Sequence, residues 1–267
     1  MSRNIKIMVA CHKKSPVPQD PMYVPMFVGA EGKEDIGFQR DDIGDNISEK
    51  NPLYCELTGL YWCWKNLDCD YFGLVHYRRY FTMHKGLFKG KNTEVLTGEQ
   101  CESLLDRYSV ILPKKRNYYI ATVYDHYANT FDGAQFDAAQ QVLDEYYPEY
   151  GACFRKLMNQ RSCYLFNMFI MSKERTDRYC EWLFDVCEKI EARYDASALT
   201  PFEKRYIGRV SERLFNAWLM VQIERGAIRK EEVHEIPYCY LGNVNWFRKI
   251  GGVLMALVFH KKYRQSF

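Results

Sequence analysis

Apolar and polar positions fall into blocks along the chain, and the length and period of each block predict an element. Ile5–Cys11 (IKIMVAC) is a short apolar run after a polar start and predicts a buried first strand. The Ser15-Pro-Val-Pro18 segment that follows His12-Lys13-Lys14 can extend neither a strand nor a helix. Tyr23–Val28 predicts a second short strand, ended by Gly29-Ala-Glu-Gly32. Residues 33–52 are polar and turn-rich and carry Asp41-Asp-Ile-Gly-Asp-Asn46. Leu53, Leu57, Leu60, Tyr61 and Trp64 then recur at helical spacing, predicting a helix over about 52–66 with proline in its first turn. Asp70–Val75 (DYFGLV) predicts a buried strand with His76-Tyr-Arg-Arg-Tyr-Phe81 at its carboxyl end. A helix is expected over 99–108 and a strand over Val110–Leu112, closed by Pro113.

The second half is more helical, with helices predicted over about 135–147, 148–158, 175–193 and 205–224, and one strong strand, Tyr164–Met171 (YLFNMFIM), between them. Strands alternating with helices predict an α/β layer architecture around a mainly parallel or mixed sheet. No repeat or linker divides the chain, so one domain over 1–267 is expected.

Composition narrows the function classes. At 267 residues, 47% hydrophobic and 27% charged, the chain can bury a real core. The net charge of +3 is too balanced for a dedicated nucleic-acid binder. A single-stranded binder built on Lys114–Tyr119 and HYRRYF would need a more basic surface. Ten cysteines show no CxxC spacing and read as small buried hydrophobes of a reducing compartment, the cytoplasm. The apolar stretch within Met1–Ala10 is too short to be expected as a signal peptide, and no 18-residue apolar stretch occurs to predict a membrane span. Ile250–Phe259, followed by His260-Lys-Lys-Tyr-Arg264, fits an interfacial segment with a basic collar over 249–267 or, equally, a terminal core helix.

Candidate chemistry gathers where strands end. Open α/β sheets bind ligands beyond the carboxyl ends of their strands. His76, Arg78 and Arg79 stand there as a candidate diphosphate site, with His12 and Lys13 after the first strand. Asp45 and Asn46, in the acidic loop, suit ribose hydroxyls or a divalent cation such as Mn²⁺ or Mg²⁺, and turn-former composition explains them equally well. Tyr124 and His126 suit sugar hydroxyls, while Asp125 and Glu212 are candidate general bases. Glu212 opening a helix also fits a first-turn carboxylate complementing the helix dipole. Neither GxGxxG nor a Walker A loop occurs.

Taken in order, several strings resemble a bacterial family of capsular, exopolysaccharide and O-antigen biosynthesis glycosyltransferases. They are His12-Lys13, Tyr23-Val-Pro25, Gly44-Asp-Asn-Ile-Ser48, Tyr54-Cys-Glu-Leu-Thr58, Leu60-Tyr-Trp62 with Trp64-Lys-Asn66, Asp70–Phe81, Asn167–Met171 and Ser211-Glu-Arg-Leu214. The resemblance covers about residues 5–225 and implies a GT-A-like, Rossmann-type sheet. It also implies transfer of a sugar from a UDP-sugar, with galactose in pyranose or furanose form as one donor, to a growing surface polysaccharide or lipid-linked oligosaccharide. A cytoplasmic enzyme docked on the inner membrane follows from that reading. The chain departs from the GT-A pattern: the metal-binding DxD is absent after the strand, and Asp68-Cys-Asp70 has the spacing at the wrong end of it. The reading from another class is a non-catalytic nucleotide- or glycan-binding module using the aromatics as stacking platforms.

Overall fold

The computed structural model describes residues 3–84 and 94–241. The apolar tail over 249–267 and the Gly/Lys-rich residues 85–93 lie outside the described residues. Among the described residues eleven strands form, in chain order β1 Ile5–Cys11, β2 Tyr23–Phe27, β3 Gln39–Arg40, β4 Tyr71–His76, β5 Arg79–Phe81, β6 Val110–Pro113, β7 Arg116–Asn117, β8 Ser162–Cys163, β9 Phe169–Ser172, β10 Val233–Ile236 and β11 Tyr238–Tyr240. The α-helices are α1 Asn51–Tyr54, α2 Leu57–Asn66, α3 Gly98–Leu105, α4 Val123–Thr130, α5 Ala134–Tyr146, α6 Pro148–Met158, α7 Lys173–Arg193 and α8 Tyr206–Glu224.

The main sheet runs β10-β6-β9-β4-β1-β2-β3, parallel except for β9, which is antiparallel to both neighbours. The expected mixed sheet flanked by helices is therefore present. Alternation along β1 shows how sequence period becomes layering. Met8 and Ala10 enter a large aromatic-rich core under α2 and α5–α8, while Ile7, Val9 and Cys11 enter a smaller one on the opposite face, beside α3. All ten cysteines are free and buried.

Three segments depart from the predicted elements, and the departures share a neighbourhood. The helix predicted over 52–66 is broken between α1 and α2, where Cys55 adopts φ 54°. The Asn51 side chain donates to the Cys55 carbonyl at 2.7 Å and so satisfies the acceptor the break exposes. Gly208 of α8 packs directly on this break, where an added Cβ would lie 2.9 Å from Cys55 Cβ. The strand predicted over 164–171 is interrupted at Phe166 and Asn167, with φ of 73° and 52°. HYRRYF is a hairpin instead of a strand end alone: Tyr77 and Arg78 form the turn, and β5 folds back antiparallel on β4 and pairs with β11. Val123–Tyr127 forms the first turns of α4, opened by a Thr122–Asp125 capping box.

Candidate active site

The carboxyl ends of β1 and β4, the β4–β5 turn, the Phe166–Asn167 corner and the first turns of α8 meet at one edge of the sheet. Two acidic residues anchor this edge. Glu56 follows the strained Cys55, and its Oε1 accepts from the Asn167 amide at 2.9 Å. The same Asn167 nitrogen lies 3.0 Å from Ser211 Oγ and 3.3 Å from the Gly208 carbonyl. Gly208, Ser211 and Glu212 recur at helical spacing, so one face of α8 forms the cleft wall. Glu212 pairs with buried Arg213 at 2.6 Å and keeps 17% of its side chain exposed. Burial raises the pKa of both carboxyls, and the charge of Glu56 adds to the difficulty of ionising Glu212. Desolvated groups that solvent still reaches are the condition of a cleft floor.

Cations surround these acids. Arg79 stacks over the Phe166 ring at 4.4 Å and faces Tyr240 at 5.5 Å, and its buried Nε has no hydrogen-bond partner among the described residues. Arg205 donates Nε–H to Cys55 Sγ at 3.3 Å and acts on Glu56, Tyr77 and His12. Arg78 is exposed and lies over Tyr77, whose ring meets His12 edge-on at 4.9 Å. Lys13 is exposed beside His12. Three of the four non-glycine residues with positive φ among the described residues, Cys55, Phe166 and Asn167, border this site. Strain of this kind persists only where surrounding contacts enforce it, and it concentrates at functional sites.

The structure thus brings His12, Lys13, His76, Arg78, Arg79 and Glu212 together. Two of them differ in character from the sequence expectation. His76 donates its ring N–H to the Phe166 carbonyl at 2.5 Å, and burial beside Arg79 pushes its pKa down to about 4. It is a neutral brace for the strained corner instead of a phosphate-binding cation. Glu212 stands in the second turn of α8 instead of at the helix start, so the dipole reading fails on position.

The other candidates lie elsewhere. Asp125 is exposed and its carboxylate caps α4 through Thr122. Tyr124 bonds Asp137 near the same surface. His126 lies against Tyr118 at 4.0 Å, with its pKa pushed down to about 4 by burial and by Arg213. Asp45 accepts from Tyr61 and Asn46 from Ser48, on the flank of α2. The buried acid of that loop is Asp41, which serves the backbone instead. Asp68 and Asp70 sit at the opposite sheet edge, where Asp70 accepts from Asn4 N–H at 2.8 Å. Among the described residues no three His, Cys, Asp or Glu side chains gather to hold a metal ion.

Glu56, Asn167, Ser211 and Arg205 were not singled out from sequence for chemistry. The signal available for two of them, Arg205 and Ser211, was their helical register with Gly208 and Glu212 (205, 208, 211, 212), just before and within the apolar run of α8. Glu56 lay hidden in a helix that the apolar period reads as continuous.

Comparison with known proteins adds the family. Residues 6–223 match the model described as domain of unknown function DUF4422. The chain belongs to that family. It is also similar to the apo structure of the bifunctional glycosyltransferase WbbM, with a TM-score of 0.81 and 30% identity over 90% of this chain and 46% of that one. The chain therefore spans about half the length of WbbM, and the DUF4422 fold seen here is GT-A-like. A search of curated proteins gives no match. Among the described residues no helix is long and apolar enough to cross a membrane.

Proposed function

We propose that this chain is a glycosyltransferase that moves a sugar from a UDP-sugar to a growing bacterial surface polysaccharide or lipid-linked oligosaccharide. The observation that carries the reading is the meeting of guanidinium groups and two desolvated carboxyls at one sheet edge, in a chain similar to a glycosyltransferase. Glycosyl transfer needs both kinds of group. As the acceptor hydroxyl oxygen bonds to the anomeric carbon, the bond from that carbon to the β-phosphate oxygen breaks and negative charge grows on the diphosphate. Arg79, Arg205 and Arg78 are placed to hold that charge, with Lys13 at the rim. The acceptor proton passes to a carboxylate, for which Glu212 is our assignment, with Glu56 beside it. Asp125, committed to its helix cap, drops out of that role. Galactose remains the donor sugar suggested by the family resemblance, and we place the reaction at the cytoplasmic face of the inner membrane on the same grounds.

A thermal-shift screen of nucleotides and nucleotide sugars, with and without Mn²⁺, tests the reading, since a ligand of the native state raises the melting temperature with its affinity. UDP and one UDP-sugar should raise it in wild type and much less in Arg79→Ala. A chain indifferent to every nucleotide sugar would remove the function. A non-catalytic module would show the shift without turnover across a panel of acceptors.

A further inference from the structure

A second surface adjoins the charged edge and none of the chemistry above uses it. Tyr119 and Ile120 are the most exposed large apolar side chains among the described residues, at 77% and 87%. They are held outward by construction. Tyr119 adopts φ 58°, its N–H is bound by Asn117 Oδ1 at 2.7 Å, and Ile120 N–H returns to the Tyr118 carbonyl at 2.7 Å. A tyrosine in the left-handed region is costly, so this turn spends stability to present two apolar groups to water.

Beside the turn lies a pocket of about 320 Å³, near the lower end of the range for small-ligand sites, between α4, α5 and α6. Its wall carries Tyr124, Asp137, Gln140 and Asn159, over a floor that includes Phe136 and Met158. Tyr124 donates to Asp137 at 3.2 Å, which leaves the carboxylate with further acceptor capacity. A flat ring, neighbouring amides and carboxylates, and an apolar floor are the groups that read a sugar, whose faces are apolar and whose rim is hydroxyl. Asp125 and Asp137 against Arg155 make the lining net acidic, which disfavours anionic lipid or nucleic acid.

Tyr118 connects this surface to the charged edge. It lies against His126 of α4, and it feels the charges of Arg213 and Glu212 on its other side. We propose that the Tyr119–Ile120 turn and the Tyr124 pocket form a carbohydrate site that holds the acceptor chain several sugars away from the bond being made. This inference rests on the glycosyltransferase reading for the word acceptor, but its glycan binding is measurable without turnover. Tyr119 is the stacking platform, and Asp137 and Gln140 take hydroxyl groups in the pocket.

The test uses the whole protein on an array of oligosaccharide fragments, one to six sugars long, from bacterial capsular and O-antigen polysaccharides. Phosphatidylglycerol/phosphatidylethanolamine vesicles are assayed in parallel. Wild type should retain chains of three or more sugars better than single sugars. Tyr119→Asn with Ile120→Ser, both at exposed positions and with asparagine suited to the left-handed turn, should weaken retention about tenfold, near 1.4 kcal/mol for the loss of one stacking contact. Asp137→Asn should weaken it separately, while the UDP thermal shift stays unchanged in all variants. Retention that is absent, or unchanged by both variants, overturns the inference. Vesicle binding lost in the double variant without glycan binding also overturns it and assigns the surface to membrane. Absence of any UDP shift in wild type would instead strike the proposed function and leave the glycan result readable.

Discussion

Asp41 and the Glu56–Glu212 pair are acids taken out of water within one fold, and the protein treats them in opposite ways. Asp41 is wholly buried and meets four donors: Gly29 N–H at 2.7 Å, Ala30 N–H at 2.9 Å, and the Ser48 and Thr58 hydroxyls at 2.6 Å each. Every oxygen of that carboxylate is answered, and it pins the end of β2 to the loop that leads into α1. Glu56 and Glu212 are desolvated with fewer partners, the charge of Glu56 weighs on Glu212, and both sit among arginines that stack on rings. Burial alone does not mark a reactive acid. What separates the two regions is the bonding capacity left over after folding.

Removing acids and bases from the two regions should therefore give different signatures. The largest stability effect belongs to Asp41→Ala, which strands two backbone N–H groups and two hydroxyls. At about 1.5–3 kcal/mol per charged hydrogen bond, with partial rescue by water, a loss of about 4 kcal/mol is expected. Denaturant unfolding checks it, and turnover of the fraction still folded should be normal. Next comes Arg79→Ala, expected to lower UDP-sugar turnover about 100-fold, the cost of removing one donor that stabilises transition-state charge, with little change in melting temperature. An equal loss of stability and turnover would make Arg79 structural and erase the contrast.

The pH dependence of stability sharpens the comparison further. His76 and His126 have pKa values pushed down to about 4 by burial, against about 6.5 in the unfolded chain. Between those values the unfolded chain binds the protons and the native state does not. Stability therefore rises with pH through that window, is complete above about 6.5, and is lost as the pH falls toward 4. The loss amounts to about 3 kcal/mol per histidine at most, and urea midpoints across pH 4–7 measure it. His76→Gln should flatten part of that slope. The smallest effect is Asp125→Asn, which trims a capping box for about 0.5 kcal/mol and should leave donor turnover at the wild-type level. A large loss of turnover there would move the site to α4.

Much of the fold was legible because period and length are local properties. β1, β4, α5, α6 and α8 all follow from apolar spacing, and the ends of α6 and α8 from proline and polar flanks. The breaks were not legible. Cys55 and Phe166 carry positive φ without being glycine, and nothing in their own sequence calls for it. The demand comes from distant parts of the chain: Gly208 packs on Cys55, while His76 bonds the Phe166 carbonyl and Arg79 stacks on its ring. For the same reason His76, Arg79 and Glu212 were legible as strand-end and helix residues, whereas Glu56 needed the broken helix to become visible. His76 was legible in place but not in charge, because burial beside an arginine is a tertiary property. Asp45 and Asn46 misled because a turn-forming loop and a ligand-binding loop share a composition.

The central claim concerns the proton that leaves the acceptor and the charge that grows on the departing nucleotide. The most direct measurement compares Glu212→Gln with wild type in UDP binding and in UDP-sugar turnover on the same protein preparation. Burial raises the Glu212 pKa, but its carboxylate also answers buried Arg213, so the glutamine variant should lose some stability and is compared with wild type on the folded, UDP-binding protein. The account predicts UDP binding within twofold of wild type and turnover lowered about 100- to 10,000-fold. Turnover at the wild-type level in a folded, UDP-binding Glu212→Gln protein would contradict it.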